Sequence, residues 1–319
     1  MKRLVLLAAL LSVSFMVNAQ AWPTKPVRMI VTFSPGGSSD IVARLVAIPL
    51  AAELGQPIIV DNKPGAGGTI GALEVASAAP DGYTLMLSNS APISVSPAMQ
   101  DQPRYDPVKS FTHVSYIGSV ANVFVVHPSV PARTMSELVA WIGAQANPVV
   151  YGSGGIGSIG HLVGETMKKE LGLKMEHIGY KGSSPMHNDL LGGTIKLAID
   201  TLPQNVPFIK DGKLRAIAVT SPARSPMAPD VPSVLELGQK NLVAENFLGV
   251  AGPADLPKPI VDRLHAAMKK SLSDPKIAQR LAELGVQGGD MTPAEFTAFV
   301  AHQVREWRQP VKDSGAKLN

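Results

Sequence analysis

Apolar positions in this chain alternate between two spacings. Val27 to Phe33 is a nearly unbroken apolar run of strand length, followed by Ser34-Pro-Gly-Gly-Ser-Ser-Asp40 and then helical spacing through Ile41, Val42 and Leu45. This reads as a strand buried on both faces, a Gly/Ser turn and a helix. Pro49 falls inside the helical pattern, where it lacks a donor and crowds the preceding turn, so a kink or early end is expected there. Pro57 to Asp61 is a second strand, and Asn62-Lys-Pro-Gly-Ala-Gly-Gly68 a turn of residues that tolerate unusual backbone angles. Helical spacing from Thr69 to Ala78 stops at Pro80-Asp-Gly82, and Tyr83 to Leu87 forms the next strand. Strand and helix in alternation predict a parallel sheet covered on both faces.

A second unit follows. Asn122 to Val126 is a strand, and Thr134-Met-Ser-Glu137 is a capping-box pattern that opens a helix through Ala146. Val149 to Tyr151 leads into a Gly/Ser loop from Gly152 to Gly160, with helical spacing from His161 to Leu171. Strands are expected at Lys174 to Ile178, Ile195 to Ile199 and Leu214 to Val219, with helices between them, and the proline-rich stretch from Ser221 to Pro232 is a loop. After a last strand, Phe247 to Ala251, the chain ends in helices. Pro257 and Pro259 suit a first turn, and Thr292-Pro-Ala-Glu295 repeats the capping-box pattern. These helices have no sheet of their own to cover, so they are expected to return over the first unit. The first lobe is then discontinuous, residues 20–121 with 250–319, around a second lobe of 122–249. The chain crosses between them near Ser119 to Val126 and near Phe247 to Gly252. One Gly/Ser loop per lobe would face the other across a cleft.

Composition adds an address. Met1-Lys-Arg3, the apolar run Leu4 to Val17 and the small-residue sites Val17-Asn-Ala19 and Ala19-Gln-Ala21 describe a secretory signal peptide of residues 1–19, with cleavage near Ala19 or Ala21. No later apolar run is long enough for a membrane span, so a soluble, exported protein is expected. With no cysteine there is neither a lipoprotein anchor nor a disulfide. Removing 19 of 319 residues leaves 300, enough for two domains with real cores. Of the 29 basic residues, Lys2 and Arg3 leave with the leader, so 27 face 25 acidic ones and nothing favours a nucleic-acid partner.

Candidate chemistry lies in the loops. Gly36 and Gly37 let a ligand approach the backbone, Ser38 and Ser39 offer hydroxyls, and a helix start has free N–H groups, so a small anion fits. The alternative is a plain N-cap in which Ser39 or Asp40 satisfies those donors. Gly152-Ser-Gly-Gly-Ile-Gly157 fits G-x-G-x-x-G, with Glu176 at about the spacing of a ribose-binding acid. It reads as a dinucleotide loop, a structural turn, or an anion cradle built on Ser153, Ser158 and the N–H groups around Gly157. The short strand before it, the position of Glu176 inside a strand and the export signal speak against the dinucleotide. The seven histidines show no zinc spacing, and no G-x-S-x-G elbow is present. Asp200 ends a strand, where it either points into the crevice or caps the turn before Pro203.

In Trp22-Pro-Thr-Lys-Pro-Val-Arg28, Ser34-Pro-Gly-Gly-Ser-Ser-Asp-Ile-Val-Ala-Arg44, Asp61-Asn-Lys-Pro-Gly-Ala-Gly-Gly68, Ala79-Pro-Asp-Gly-Tyr-Thr84, Tyr151-Gly-Ser-Gly-Gly-Ile-Gly-Ser158, Tyr180-Lys-Gly182, Gly212-Lys-Leu-Arg-Ala216 and Asp230-Val-Pro232, the chain resembles the tripartite tricarboxylate transporter substrate-binding proteins, the Bug or TctC-like family of periplasmic receptors. The resemblance covers essentially the whole mature chain. It implies an α/β, type II periplasmic binding protein fold, two lobes joined by two crossovers, closing on a small carboxylate without catalysis, cofactor or metal. Carried over residue by residue, one jaw is Ser34, Gly36, Gly37, Ser38 and Ser39. The other is Ser153, Gly154, Gly155, Ile156, Gly157 and Ser158, and Asn89, Ser90 and Asp200 line the pocket. The implied function is delivery of an organic acid, by a monomer, to membrane subunits of a tripartite tricarboxylate-type transporter. A receptor feeding a sensor, and an enzyme using the 152–157 loop for a dinucleotide, are the alternatives. Ile156, Ile159 and Gly160 stand where the family often has polar residues, and Ser34 where it often has proline. With Ile156 and Ile159 facing the cleft and no Lys or Arg in either jaw, a monocarboxylate or aromatic acid is expected rather than citrate.

Overall fold

The structure, a computed structural model, describes residues 22–315 and 317–318. The expected signal peptide and its cleavage sites therefore lie outside the described residues. The first lobe begins with β1 (Val27–Val31), α1 (Ser38–Leu54), β2 (Ile58–Asn62), α2 (Thr69–Ala76) and β3 (Thr84–Asn89). Strand β1 lies between β2 and β3, parallel to both, with Val27 opposite Ile58 and Arg28 opposite Thr84. Met29 and Leu87 pack against Val46, Leu50 and Met268 on one face, while Ile30 and Met86 meet Val75, Phe247 and Phe296 on the other. Burial on both faces explains why these strands read as unbroken apolar runs.

The two lobes share one long strand. In β4 (Phe111–Val126), residues Phe111 to Ala121 pair antiparallel with β9 (Glu245–Pro253), which itself pairs with β3. From Asn122 onward β4 pairs instead with β7 (Leu197–Thr201) and β8 (Arg215–Val219). The second lobe holds α3 (Met135–Gly143), β5 (Val149–Ser153), α4 (Ile159–Glu170), β6 (Met175–Gly179), α5 (Ser183–Leu191), β7, α6 (Leu202–Lys210) and β8. Its strands run in the order β6, β5, β7, β4, β8, against β2, β1, β3, β9, β4 in the first. The chain returns at Ala244, whose N–H still bonds Thr220 of the second lobe, and enters β9 at Glu245. On this pairing we propose lobe bounds of 22–121 with 245–315 for the first lobe and 122–244 for the second.

Several expectations need correction. Helix α1 does not end early at Pro49 but runs on to Leu54, ending at Gly55 in the left-handed region. Val46, Leu50 and Leu54 are buried, and core side chains worth roughly 1.5–3 kcal/mol each offset one lost hydrogen bond and a strained turn. The Phe111 to Ala121 half of β4 escaped the pattern because its register shifts between His113 and Ser115 and again between Tyr116 and Gly118, which breaks the period of two. In the tail, α7 (Lys258–Leu272) and α8 (Pro275–Glu283) pack on α1. Helix α9 (Pro293–Ser314) goes further, reaching α4 of the second lobe with Val311 in that lobe's core and the partly buried Trp307 packed against it.

Candidate functional site

Strands β1 and β5 each end in a Gly/Ser loop that starts a helix, and the two loops are conformational copies. Gly36 and Gly157 both sit at φ +80°, where a side chain would be strained. The next residues are the N-caps, Gly37 (φ −73°, ψ 163°) and Ser158 (φ −73°, ψ 161°). At the third helical position a side chain reaches back to the residue before the cap. Gly36 N–H donates to Asp40 Oδ2 at 2.9 Å, and Gly157 N–H donates to His161 Nδ1 at 3.1 Å. Ser38 and Ser39 therefore correspond to Ile159 and Gly160, and Ser158 corresponds to Gly37.

These reach-back bonds leave the first-turn donors open. Gly37 offers no side-chain cap, and the N–H groups of Ser38 and Ser39, like those of Ile159 and Gly160, have no partner within their helices. Burial works to raise the Asp40 carboxyl, but the Arg44 guanidinium, the Gly36 N–H and Asn62 hold it below the usual carboxylate range. Asn89, on β3, steadies the first jaw with its amide 3.4 Å from both Thr32 Oγ1 and Ser39 Oγ.

Beneath the second jaw lies a histidine pair. His161 and His177 stack with ring centres 3.9 Å apart, and His177 Nε2 is 2.7 Å from Ser153 Oγ. Ser153 Oγ accepts from Gly155 N–H and from Ser158 Oγ, and Ser158 Oγ also accepts from His161 N–H as the helix cap. Burial lowers His161 to about 4, against the opposing pull of the Glu165 charge and with help from Lys168, and burial with His161 and Lys168 lowers His177 to about 3, so both rings are neutral near pH 7.

Between the jaws is a cavity of about 60 Å³, room for on the order of five waters. It brings together Ser34, Gly37, Ser38, Ser39, Asn89, Gly154, Ser158 and Asp200 of the expected set, with Ile159 and Gly160. It leaves out the others. Gly36, Gly155 and Gly157 shape the loops, Ser153 is turned to His177, and Ser90 is bonded to Asn246 and to β9. Ile156 points outward, 45% exposed beside Gly179 and His177, because the left-handed turns on either side of it rotate its side chain away from the helix start. The apolar wall expected from Ile156 is thus absent, whereas Ile159 is buried against the cavity.

Asn122, Ser183, Thr201 and Asn246 also line the cavity and were not singled out from sequence. Asn122 and Asn246 stand at the two crossings, and the signal would have been an asparagine at the mouth of an apolar strand. Asn122 Nδ2 is buried without a hydrogen-bond partner, a group that an acceptor in the cavity could engage once the amide turns. Burial pushes the Asp200 carboxyl above the usual range, against His187 at 3.8 Å and bonds from Ser183, Thr201 and Asn205. Among the lining residues there is no Lys or Arg. The positive ends of α1 and α4 are the sources of positive potential, which suits one carboxylate.

The lobes are in contact across this cavity. Ser34 Oγ donates to the Lys181 carbonyl, Gln204 Nε2 donates to Gly36 O at 2.9 Å, and Ser96 Oγ reaches Gly157 O at 3.3 Å.

The chain as a whole has relatives among known proteins. Residues 42–316 match the family described as tripartite tricarboxylate transporter family receptor. Protein BugT of Bordetella pertussis is 35% identical over 303 residues, covering 95% of this chain and 93% of BugT. A protein of R. palustris solved with adipate is 31% identical with a TM-score of 0.88, covering 93% of this chain and 99% of its own. MatC from Rhodopseudomonas palustris, solved with bound malate, is 28% identical with a TM-score of 0.86, covering 91% and 100%.

Proposed function

This chain belongs to the tripartite tricarboxylate transporter receptor family, periplasmic solute-binding proteins and not enzymes, and from that premise we propose that its two Gly/Ser jaws clamp the carboxylate of a small organic acid. The protein then hands the acid, as an exported monomer freed of residues 1–19, to membrane subunits of a tripartite tricarboxylate-type transporter. One observation carries the reading: two helix starts with open N–H groups meet in one cavity that no basic side chain enters. Micromolar affinity needs about 8 kcal/mol net. Charge-assisted hydrogen bonds contribute roughly 1.5–3 kcal/mol each, so four or five in gross terms suffice before ordering costs. The relatives that hold adipate and malate support a small carboxylate as cargo. A cavity of this size argues against a dinucleotide.

Calorimetry on two serine variants tests the clamp. Ser38→Ala should weaken acid binding by roughly 1–3 kcal/mol, the range for a hydrogen bond to a charged group. Ser158→Ala should weaken it as well and cost about 1 kcal/mol of stability, because Ser158 Oγ caps α4 and its proton is directed at Ser153. Unchanged affinity in both variants would show that the jaws do not hold the ligand. Closure is tested by scattering. Few bonds join the lobes across the cavity, so the ligand-free protein should open about the Ala121–Asn122 and Ala244–Glu245 crossings and contract when the acid is added. Superimposable scattering curves with and without saturating acid would refute it.

A further inference from the structure

Beside the polar cavity is a second, larger hollow of about 260 Å³. Ile41 and Val42 of α1, Val120 of β4, and Leu284 and Val286 beyond α8 form its first-lobe wall, and Pro203 with Pro207 of α6 the opposite one. Its polar rim is Gly36, Ser38, Ser184, His187 and Gln204, with no Lys, Arg, Asp or Glu among the lining residues. Ser38 belongs to both spaces, and Ser184 and Gly36 directly follow or precede Ser183 and Gly37 of the polar cavity. Gln204 stands at this common border, held by its bond to Gly36 O at 2.9 Å.

The polar cavity has room for on the order of five waters, enough for a carboxylate and a few atoms beyond it but little for a longer chain. We propose that the apolar hollow receives the tail of the acid whose carboxylate lies between the jaws, with Gln204 swinging aside, which makes the ligand class a monocarboxylic acid with a short apolar tail. This rests on the carboxylate-receptor reading and narrows it. A second carboxylate at the far end would be desolvated against Ile41, Val120 and Leu284 with no cation to pair it, which is costly. Both lobes build the hollow, so burying the tail also favours closure.

Calorimetry of the mature protein with acetate, butyrate and hexanoate, and with succinate and adipate, tests this. Each methylene buried contributes about 0.8 kcal/mol, or roughly a fourfold gain in affinity. Butyrate should therefore bind roughly sixteen-fold tighter than acetate, and hexanoate at least tenfold tighter than adipate. Ile41→Lys, at a site already 36% exposed, should flatten the monocarboxylate series and favour adipate over hexanoate. Acetate and butyrate of equal affinity, or adipate binding tighter than hexanoate to the natural chain, would overturn the tail pocket while leaving the jaws standing. Binding of none of the five acids would overturn the receptor reading and the tail pocket together.

Discussion

Gly160→Ala is expected to lose well over tenfold in acid affinity and to be destabilised by at least the upper end of the roughly 1–3 kcal/mol typical of overpacking. A methyl group on Gly160 would lie 2.0 Å from the Ile199 carbonyl oxygen and 2.9 Å from its carbon. Both are backbone atoms of β7 and cannot rotate away. Helix α4 must then shift off the sheet by about an ångström, and its open N–H groups move out of line with any carboxylate between the jaws; misplacements of that size are expensive in a preorganised site. Gly143 is the control. It closes α3 with nothing near its missing Cβ, so Gly143→Ala should be neutral or gain up to about 1 kcal/mol, the difference in helix propensity. Urea melts and calorimetry on the two variants read the contrast, and equal stability of the two would show that α4 does not need the close approach.

Acid should unfold the protein well before its carboxylates are exhausted. His161 and His113 are buried and neutral, each lowered to about 4, chiefly by burial, and His177 to about 3 by burial, His161 and Lys168. In the unfolded chain these rings titrate near 6.5. Between about pH 6.5 and 4 the unfolded state therefore binds more protons, and stability falls as pH falls. The histidine contribution is intact above about pH 6.5. On the order of 3 kcal/mol is lost for each of His161 and His113 by pH 4. Asp200 and Glu245, raised by burial, work in the opposite direction and soften the slope. Protonating His161 also removes the acceptor for Gly157 N–H, so the second jaw should loosen before the first, whose Asp40 performs the same task. Chemical denaturation from pH 7.5 to 4.5 measures the slope. His161→Asn, which keeps an acceptor without the titration, should flatten part of it; a natural chain equally stable at both pH values would refute the account.

The order of strands and helices was legible because burial imposes its period locally: two-sided burial in β1 and β3, alternating residues to two cores, and capping boxes at Thr134 and Thr292 that the structure reproduces bond for bond. The glycines of both jaws were legible for a related reason, since φ +80° at Gly36 and Gly157 excludes most side chains whatever surrounds them. Where a jaw residue points was not. Ile156 and Ile159 are three residues apart in one apolar-looking loop, yet one is exposed and the other lies against the cavity, because the left-handed turns at Gly155 and Gly157 reverse the chain between them.

By itself, then, the sequence determined two α/β units, their alternation and a strand, glycine turn and helix in each. Local sterics and burial period act within a few residues, so one chain segment is enough to express them. Tertiary structure decided that β4 runs through both lobes, that Asn122 and Asn246 stand at the crossings beside the cavity, and that α9 reaches the second lobe. It also decided that Asp40 and His161, unlike in chemistry, perform one task in two jaws. The strand and helix contacts join residues far apart in the chain, so only the packed sheets bring them together, whereas the two reach-back bonds span four residues each and are closed by the loop conformations at Gly36 and Gly157.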